Sequence, residues 1–317
     1  MRRKKVVLRG LLVLIFITLA FPVYYVTDLI ITSVILKKLQ HKITNSRPKI
    51  EYFSFANLES VIKRNINSTK YLIYAFANHT KGSAVLERDD KQNIVIQNTD
   101  IMHVYGTIQN QETKDIYNFQ AAYLGIAEAN AIVKLYKDFY ISLQIQAKKS
   151  TIEMRGDHLI FNLRDSSILS ESPVIFNTED SILIGGNFSY KDGHARLAKD
   201  IFLDTDRAMV VSDEMDIYLT GNTLLTQNSK EVSFGMAVFT GHAKMFDKIN
   251  NTHVYANIIT IDNEKQLATL QGNAKIERQD GTVLGDIMTY KLSQGYAEIR
   301  SGTSKKTNER VTVKIKY

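Results

Sequence analysis

Strict alternation of apolar and polar residues is the feature that most constrains the fold of this chain. The segments 231–238 (EVSFGMAV), 311–317 (VTVKIKY) and 182–190 each place every second residue on one apolar face. Tyr117 and Phe119 begin a fourth such face, which continues through Ala121 to Tyr123. Because successive side chains of a strand point to opposite faces, this pattern describes antiparallel strands that are buried on one side. The sequence predicts an all-β protein.

Turn signals separate the alternating segments. They include Lys191-Asp192-Gly193, Gln279-Asp280-Gly281 and Gly221-Asn222, which favour tight hairpins. Gly185-Gly186 indicates a strand bulge or a close backbone contact rather than a phosphate cradle. Two stretches, 55–66 and 126–135, have helix-like spacing or helix-forming residues and are alternatively read as short helices.

The C-terminal part of the chain contains a repeat. Residues 238–246 (VFTGHAKMF) recur as 269–277 (TLQGNAKIE), with 300–305 (RSGTSK) as a degraded third copy. A β-hairpin unit of this size cannot bury its apolar face alone, so successive units are expected to stack. The repeat, which we expect to run as strand, glycine-containing turn and strand, favours an elongated, open β-jelly roll or a β-solenoid-like slab over a compact barrel.

A basic N-terminus followed by an apolar span predicts a membrane anchor. Five cations lie within the first nine residues, the stretch 10–26 has no charge, and apolar character continues to Leu36. About eighteen apolar residues span roughly 27 Å as a helix, and the cations favour a cytoplasmic N-terminus. A cleaved signal peptide ending near Ala20 is the alternative, but the apolar character that continues from Val23 favours an uncleaved anchor.

Charge and composition exclude several classes of function. The net charge of +7 is concentrated at the N-terminus, so the remaining chain is close to neutral and offers no argument for nucleic-acid binding. The sequence has no cysteine, and its seven histidines are dispersed without the spacing of a metal site. An acidic cluster between Asp204 and Asp216 lacks the ligand spacing of a calcium loop. We therefore predict no catalytic residues, no metal and no cofactor.

Several segments resemble components of the lipopolysaccharide export machinery. Residues 133–144 (VKLYKDFYISLQ), 151–165 and 166–191 (SSILSESPVIFNTEDSILIGGNFSYK), together with the anchor, are similar to the LptC family. Residues 238–292, which contain FTGHAKMF and LQGNAKIERQDGTVLGDIMTYKL, resemble the OstA-type repeat of the LptA family. The combination departs from LptC-like chains, which are shorter and lack the LptA-like extension that follows Asp206 here. The chain is therefore either an extended LptC-like protein or a fusion of the two roles.

The resemblance implies an inner-membrane, single-span protein whose bulk is periplasmic. It would receive lipopolysaccharide, or a related lipid, from an ABC-type export transporter and pass it along a β-jelly-roll groove toward the outer membrane. Implied partners are that transporter and either a periplasmic bridge protein or a second copy joined through edge strands. The expected organisation begins with a cytoplasmic N-terminus (1–9), an anchor (10–36) and a linker (37–64). An LptC-like domain (65–205) and LptA/OstA-like repeats (206–317) follow.

Candidate lipid contacts are the apolar residues on the alternating faces. Ordinary packing in a protein core uses the same residue types and explains each of these positions equally well. They are Phe119, Tyr123, Phe161, Val174, Phe176, Ile182, Ile184, Val232, Phe234, Met236, Leu270, Ile276 and Met288. Two other classes of function stay open: an anchored scaffold of the cell envelope whose interior is filled, and an anchored hydrolase with a cleft of convergent carboxylates or a Ser/His pair. An open apolar interior would favour lipid transfer, and a closed one would favour the scaffold.

Overall fold

The computed structural model describes most of the chain after the predicted anchor. The described ranges are 50–66, 69–86, 94–127, 132–146, 150–162, 165, 167–220, 233–262, 264–292, 296–299 and 312–315. The anchor and the cleavage site predicted as its alternative lie outside these residues. Within the described ranges, no helix has the length and apolar character needed to cross a membrane.

All of the regular elements in these ranges are β-strands, as the alternation predicted. The strands are β1 Ile50–Ile66, β2 Thr69–Leu86, β3 Ile94–Asn110, β4 Ile116–Ala127, β5 Ile132–Ile145, β6 Ser150–Asn162, β7 Ser167–Ser170, β8 Val174–Thr178, β9 Ser181–Gly185, β10 Asn187–Lys191, β11 His194–Thr205, β12 Ala208–Thr220, β13 Ser233–Asp247, β14 Thr252–Asp262, β15 Leu267–Arg278, β16 Gly281–Lys291, β17 Tyr296–Ile299 and β18 Thr312–Ile315.

The strands divide into two compact units, with the boundary between Val174 and Ile175. In the N-terminal unit, β1 to β7 form an antiparallel meander in which each strand pairs with the next. The longest ladder joins β1 to β2, from Ile50 opposite Val85 to Ile66 opposite Thr69.

The C-terminal unit is a second antiparallel meander. Strand β11 pairs with β9, β10 and β12, and the ladder continues strand by strand to β16. Strands β17 and β18 both pair with β16. The two-residue turn Asp192-Gly193, with φ of +49° and +79°, closes the β10–β11 hairpin as its sequence predicted.

Neither stretch that was alternatively interpreted as a short helix is helical in the residues that the structure describes. Residues 55–66 lie in β1, and 126–135 contains the end of β4 and the start of β5. Helix propensity is worth only a few tenths of a kcal/mol per residue. Long antiparallel pairing with the neighbouring strands outweighs it.

The repeat is real, but its glycines do not lie in turns as expected. Gly241 and Gly272 lie inside β13 and β15, where the registers to the neighbouring strands shift. Their φ angles are +80° and +72°, and each is followed by a residue that is also left-handed, His242 or Asn273. These positions are β-bulges, which bend a strand without ending it. The third copy, around Gly302, lies outside the described residues.

Candidate functional site

The interior of the C-terminal unit is built from apolar side chains of consecutive strands. On β11 to β16 the buried positions include Leu197, Ile217, Phe239, Ile259 and Leu270, each fully inaccessible to solvent. Tyr290 is also fully buried, and its hydroxyl donates to Asp247 Oδ2 at 2.9 Å. Burial and the carboxylate raise the pKa of Tyr290 to about 12. Buried apolar side chains are therefore present on every strand from β11 to β16.

The N-terminal unit has an apolar interior of its own. Ile101, Val104, Leu135, Phe139 and Leu159 are at most 1% exposed. Thr80 on β2 and Thr99 on β3 are among the polar residues of this interior, and both are fully buried. Their Oγ1 atoms have no hydrogen-bond partner. Two unsatisfied hydroxyls among apolar side chains are the exception here, since buried polar groups normally find a partner.

The interior of each unit contains large side chains that are shielded from solvent. Six large side chains are less than 2% exposed: Phe139 and Phe161 in the N-terminal unit, and Phe176, Phe188, Phe239 and Tyr290 in the C-terminal unit. In this structure the interior is therefore apolar, as lipid transfer requires, and closed, as a scaffold requires. A lipid chain would enter only where opposing side chains move apart.

Seven of the thirteen predicted contact residues point into an interior. Phe119 is 3% exposed, Ile276 is 3% exposed, and the others are at most 1% exposed: Phe161, Val174, Phe176, Leu270 and Met288. Three of them belong to the N-terminal unit (Phe119, Phe161 and Val174) and four to the C-terminal unit, so they form two sets. Val232 and the side chain of Phe234 lie outside the described part. Lipid contact at these positions stays a prediction.

Tyr123 lies on the outer face and not beside Phe119 as expected. The register between β4 and β5 shifts between Gln120 and Tyr123. Ala121 is buried and the next buried residue is Leu124, a step of three. This step reverses the alternation, so Tyr123 points outward.

Ile182, Ile184 and Met236 also face outward, contrary to expectation. In β9 the buried residues are Ser181, Leu183 and Gly185, and Ile182 is 42% exposed. The alternation then reverses at Gly186, whose backbone N–H donates to Lys199 O at 2.8 Å, so the Gly-Gly pair marks the close backbone contact that was predicted.

In β13, buried Phe239 fixes which residues face inward. Met236, three positions earlier, falls on the outer face and is 36% exposed. Gly235 and Ala237 face inward in its place. Sequence reasoning missed these interior positions because it assigned the larger apolar side chains to the buried face.

The acidic cluster is a set of paired surface carboxylates. Asp216 lies 2.8 Å from His194 Nε2, Glu214 accepts from Arg196 Nη2 at 2.6 Å, and Asp204 pairs with Lys248. Asp213 lies 3.1 Å from His242 Nδ1. In the part of the chain that the structure describes, no group of three or more His, Asp or Glu side chains is placed to hold a metal ion.

One segment of the chain is similar to a transport family. Residues 210–296 match the family of the LptA and LptD N-terminal domain, described as a lipopolysaccharide transport protein. This confirms the resemblance to the LptA/OstA type predicted for residues 238–292. The segment begins in β12 and ends in β17, so it coincides with most of the C-terminal meander.

Among solved structures, the chain is similar to LptH from Pseudomonas aeruginosa. That protein is described as the LptA-homologous periplasmic component of a lipopolysaccharide transport device. The two are 15% identical, with a TM-score of 0.32, over 40% of this chain and 86% of LptH. No curated protein sequence matches the chain.

Proposed function

We propose that this protein binds lipopolysaccharide, or a related lipid, through the apolar interior of its β-sheets and passes it toward the outer membrane. One observation carries the proposal: the segment that matches the transport family, residues 210–296, supplies buried apolar side chains on every strand from β12 to β16. The physical requirement is the shielding of acyl chains from water. A chain of a dozen CH₂ groups costs on the order of 10 kcal/mol to expose, at about 0.8 kcal/mol per group.

The closed interior sets a condition on this function. Lipid uptake must separate side chains that now contact each other, and the lipid must replace those contacts. Because the replaced and the new contacts are both apolar, the exchange is nearly balanced in free energy. Transfer between similar interiors has no intrinsic direction, so we assign the direction to an ATP-driven export transporter that loads the protein.

A membrane anchor belongs to the same proposal. If residues 10–36 form an uncleaved span, the mature protein keeps its first residues and stays in the membrane fraction after a high-salt wash. Salt removes proteins held by surface charge but not a spanning helix. A soluble mature protein that begins at Phe21 would overturn the anchor and leave the lipid-binding proposal intact.

Partner contacts are the third part of the proposal. The outermost strands of an open sheet carry unpaired N–H and C=O groups, so strand addition is the contact we expect. A periplasmic bridge protein or a second copy of this chain would continue the apolar interior through such a junction.

Photo-crosslinking in cells tests the function. Phe176 is 1% exposed and its neighbour Ile175 is 37% exposed on the opposite face of β8. A photo-reactive residue at 176 should crosslink to lipopolysaccharide, with a yield that falls when ATP is depleted. The same residue at 175 is the matched control and should give little product. Equal yields at both positions, or none at either in a folded protein, would overturn the proposal.

A structural scaffold of the envelope is the second candidate, and the filled interior favours it. The crosslinking experiment separates the two, because a scaffold with a permanently closed interior gives no product at 176.

A further inference from the structure

A groove on the outer face of the N-terminal unit is unrelated to the apolar interior. Its volume is about 970 Å³, and strands β3, β4, β5 and β6 contribute to its lining. This volume falls in the range of small-ligand sites in proteins. All of the lining side chains point away from the buried core, so a molecule in the groove would not compete with one in the interior.

Two rows of residues run across the strands in this groove. In the first row Asp100 pairs in register with Gly125, and Gly125 with Lys134. In the second row Met102 pairs with Tyr123, Tyr123 with Tyr136, and Tyr136 with His158. The rows are two residues apart along each strand, which is about 7 Å. A polar row therefore runs beside an aromatic one.

Gly125 leaves a notch between an acid and an amine. A Cβ atom added there would have Asp100 Oδ1 at 3.8 Å, Tyr136 Cε2 at 3.8 Å and Tyr123 Cε1 at 3.9 Å. These are ordinary van der Waals distances, so the bare glycine leaves room for a small group with aromatic carbon on two sides and a carboxylate on a third. Neighbouring strands lie about 4.8 Å apart, which places the Asp100 and Lys134 backbones nearly 10 Å apart on either side of the notch.

The tyrosines that form the walls are held in place. Tyr136 stacks on the His158 ring at 4.6 Å with an angle of 14° between the planes. The Tyr123 ring meets Tyr136 edge-on at 5.8 Å. The register shift in β4 directs Tyr123 into this groove. Rigid aromatic walls need no rearrangement when a ligand binds, which favours affinity.

The charges of the groove point to an uncharged polar group as the part of the ligand that lies in the groove. Two carboxylates, Asp100 and Asp157, balance two amines, Lys134 and Lys137. Because the charges balance, the groove has no electrostatic preference for a cationic or an anionic ligand. It offers hydrogen-bond acceptors and donors a short distance apart, next to aromatic surface. A pyranose ring matches this arrangement, since it carries hydroxyl groups that both donate and accept and C–H faces that pack on aromatic rings.

We propose that this groove binds a sugar ring of an envelope glycan, with the ring above Gly125 against Tyr123 and Tyr136. The proposal stands independently of lipid uptake because the groove and the interior are on opposite faces of the sheet. The sugar could come from a cell-wall-type glycan or from the head of a glycolipid, and the experiment distinguishes the two.

The test measures binding of two probes to the full chain by saturation-transfer NMR and titration calorimetry. One probe is chitohexaose, and the other is fully deacylated lipopolysaccharide oligosaccharide. The detergent that keeps the chain in solution must carry no sugar headgroup. Binding of chitohexaose alone assigns the groove to a cell-wall-type glycan, and binding of the deacylated oligosaccharide alone assigns it to a glycolipid head. Binding of neither at millimolar concentration would overturn the proposal.

Gly125→Leu fills the notch and should weaken binding about tenfold or more, which corresponds to about 1.4 kcal/mol. Tyr105→Ala, on the exposed outer face of β3 but outside the groove, should leave the affinity unchanged. Unchanged affinity in a folded Gly125→Leu protein would overturn the assignment to this groove. Displacement of the deacylated oligosaccharide by inorganic phosphate would show an anion site instead and would also overturn it.

Discussion

The ring of Phe176 meets the ring of Phe188 edge-on inside the C-terminal unit, with the centroids 5.4 Å apart and an angle of 72° between the planes. Both side chains are 1% exposed. Phe176 lies on β8 and Phe188 on β10, so this contact joins two short strands at the start of the unit. This contact lies in the interior that we propose to bind lipid chains. The interaction free energy between the two rings can be measured separately from lipid binding.

A double-mutant cycle on this pair should give a coupling free energy of about 0.5–1.5 kcal/mol, the range for edge-to-face aromatic pairs. Phe176→Leu and Phe188→Leu are made singly and together, and urea unfolding is followed by tyrosine fluorescence, since the chain has no tryptophan. The neighbouring Ile175→Leu is the control and should change stability by less than about 0.5 kcal/mol. Strictly additive effects of the two phenylalanine substitutions would contradict the contact.

Replacing either unsatisfied threonine of the N-terminal unit should stabilise the protein. Thr80→Val and Thr99→Val keep the side-chain shape and remove a fully buried hydroxyl that has no partner, which is worth about 1–3 kcal/mol. The control is Thr107→Val, because Thr107 Oγ1 donates to Asn118 Oδ1 at 2.9 Å, and its loss should destabilise the protein by about 1 kcal/mol. A loss of stability in all three variants would mean that the interior hydroxyls have partners.

The bulge glycines should tolerate alanine less well than a turn glycine does. Gly241 and Gly193 have nearly the same φ, +80° and +79°. A Cβ at Gly241 would lie 2.2 Å from Asp213 Oδ2, whereas nothing lies within 4 Å of one at Gly193. Gly193→Ala should cost about 1 kcal/mol for the left-handed backbone, and Gly241→Ala should cost more because Asp213 must also move. Equal losses of unfolding free energy would show that the bulge is not tightly packed.

The stability of the C-terminal unit should fall at high pH through Tyr290. Burial and the nearby Asp247 carboxylate raise the pKa of this tyrosine from 10.0 to about 12. A raised pKa means that the folded state holds the proton more tightly, so the stabilisation is complete below pH 10 and is lost between about pH 10 and 12. The free energy of unfolding should decline less steeply over this range in Tyr290→Phe than in the unchanged protein. Parallel curves would contradict the raised pKa.

The strands, the hairpin at Asp192-Gly193 and the repeat around Gly241 and Gly272 could be predicted because they depend on local signals. The face of each strand could not be predicted in the same way. Alternation shows that two faces exist, but register shifts at Tyr123 and Gly186 exchange them within a single apolar segment. Such shifts are decided by pairing with the neighbouring strand and not by the pattern within the segment itself.

The closed interior and the outer groove could not be predicted from the sequence, for a related reason. Whether Phe161 or Phe239 contacts a lipid or its own neighbours depends on how opposing side chains fill the space between them. The notch at Gly125 exists because three strands place Asp100, Tyr123 and Lys134 around one glycine. No spacing along one segment contains that information.

The most direct test of lipid uptake compares two phenylalanines of the same strand. Phe239 is fully buried in the interior, and Phe246 lies on the outer face of β13, where it stacks on His253 at 4.6 Å. A trifluoromethyl-phenylalanine is placed at each position in turn, and its ¹⁹F NMR signal is followed while lipopolysaccharide is added to the full chain. We predict that the signal at 239 shifts as acyl chains enter the interior and that the signal at 246 does not. An unchanged signal at 239 with lipopolysaccharide in excess would contradict lipid binding in the interior.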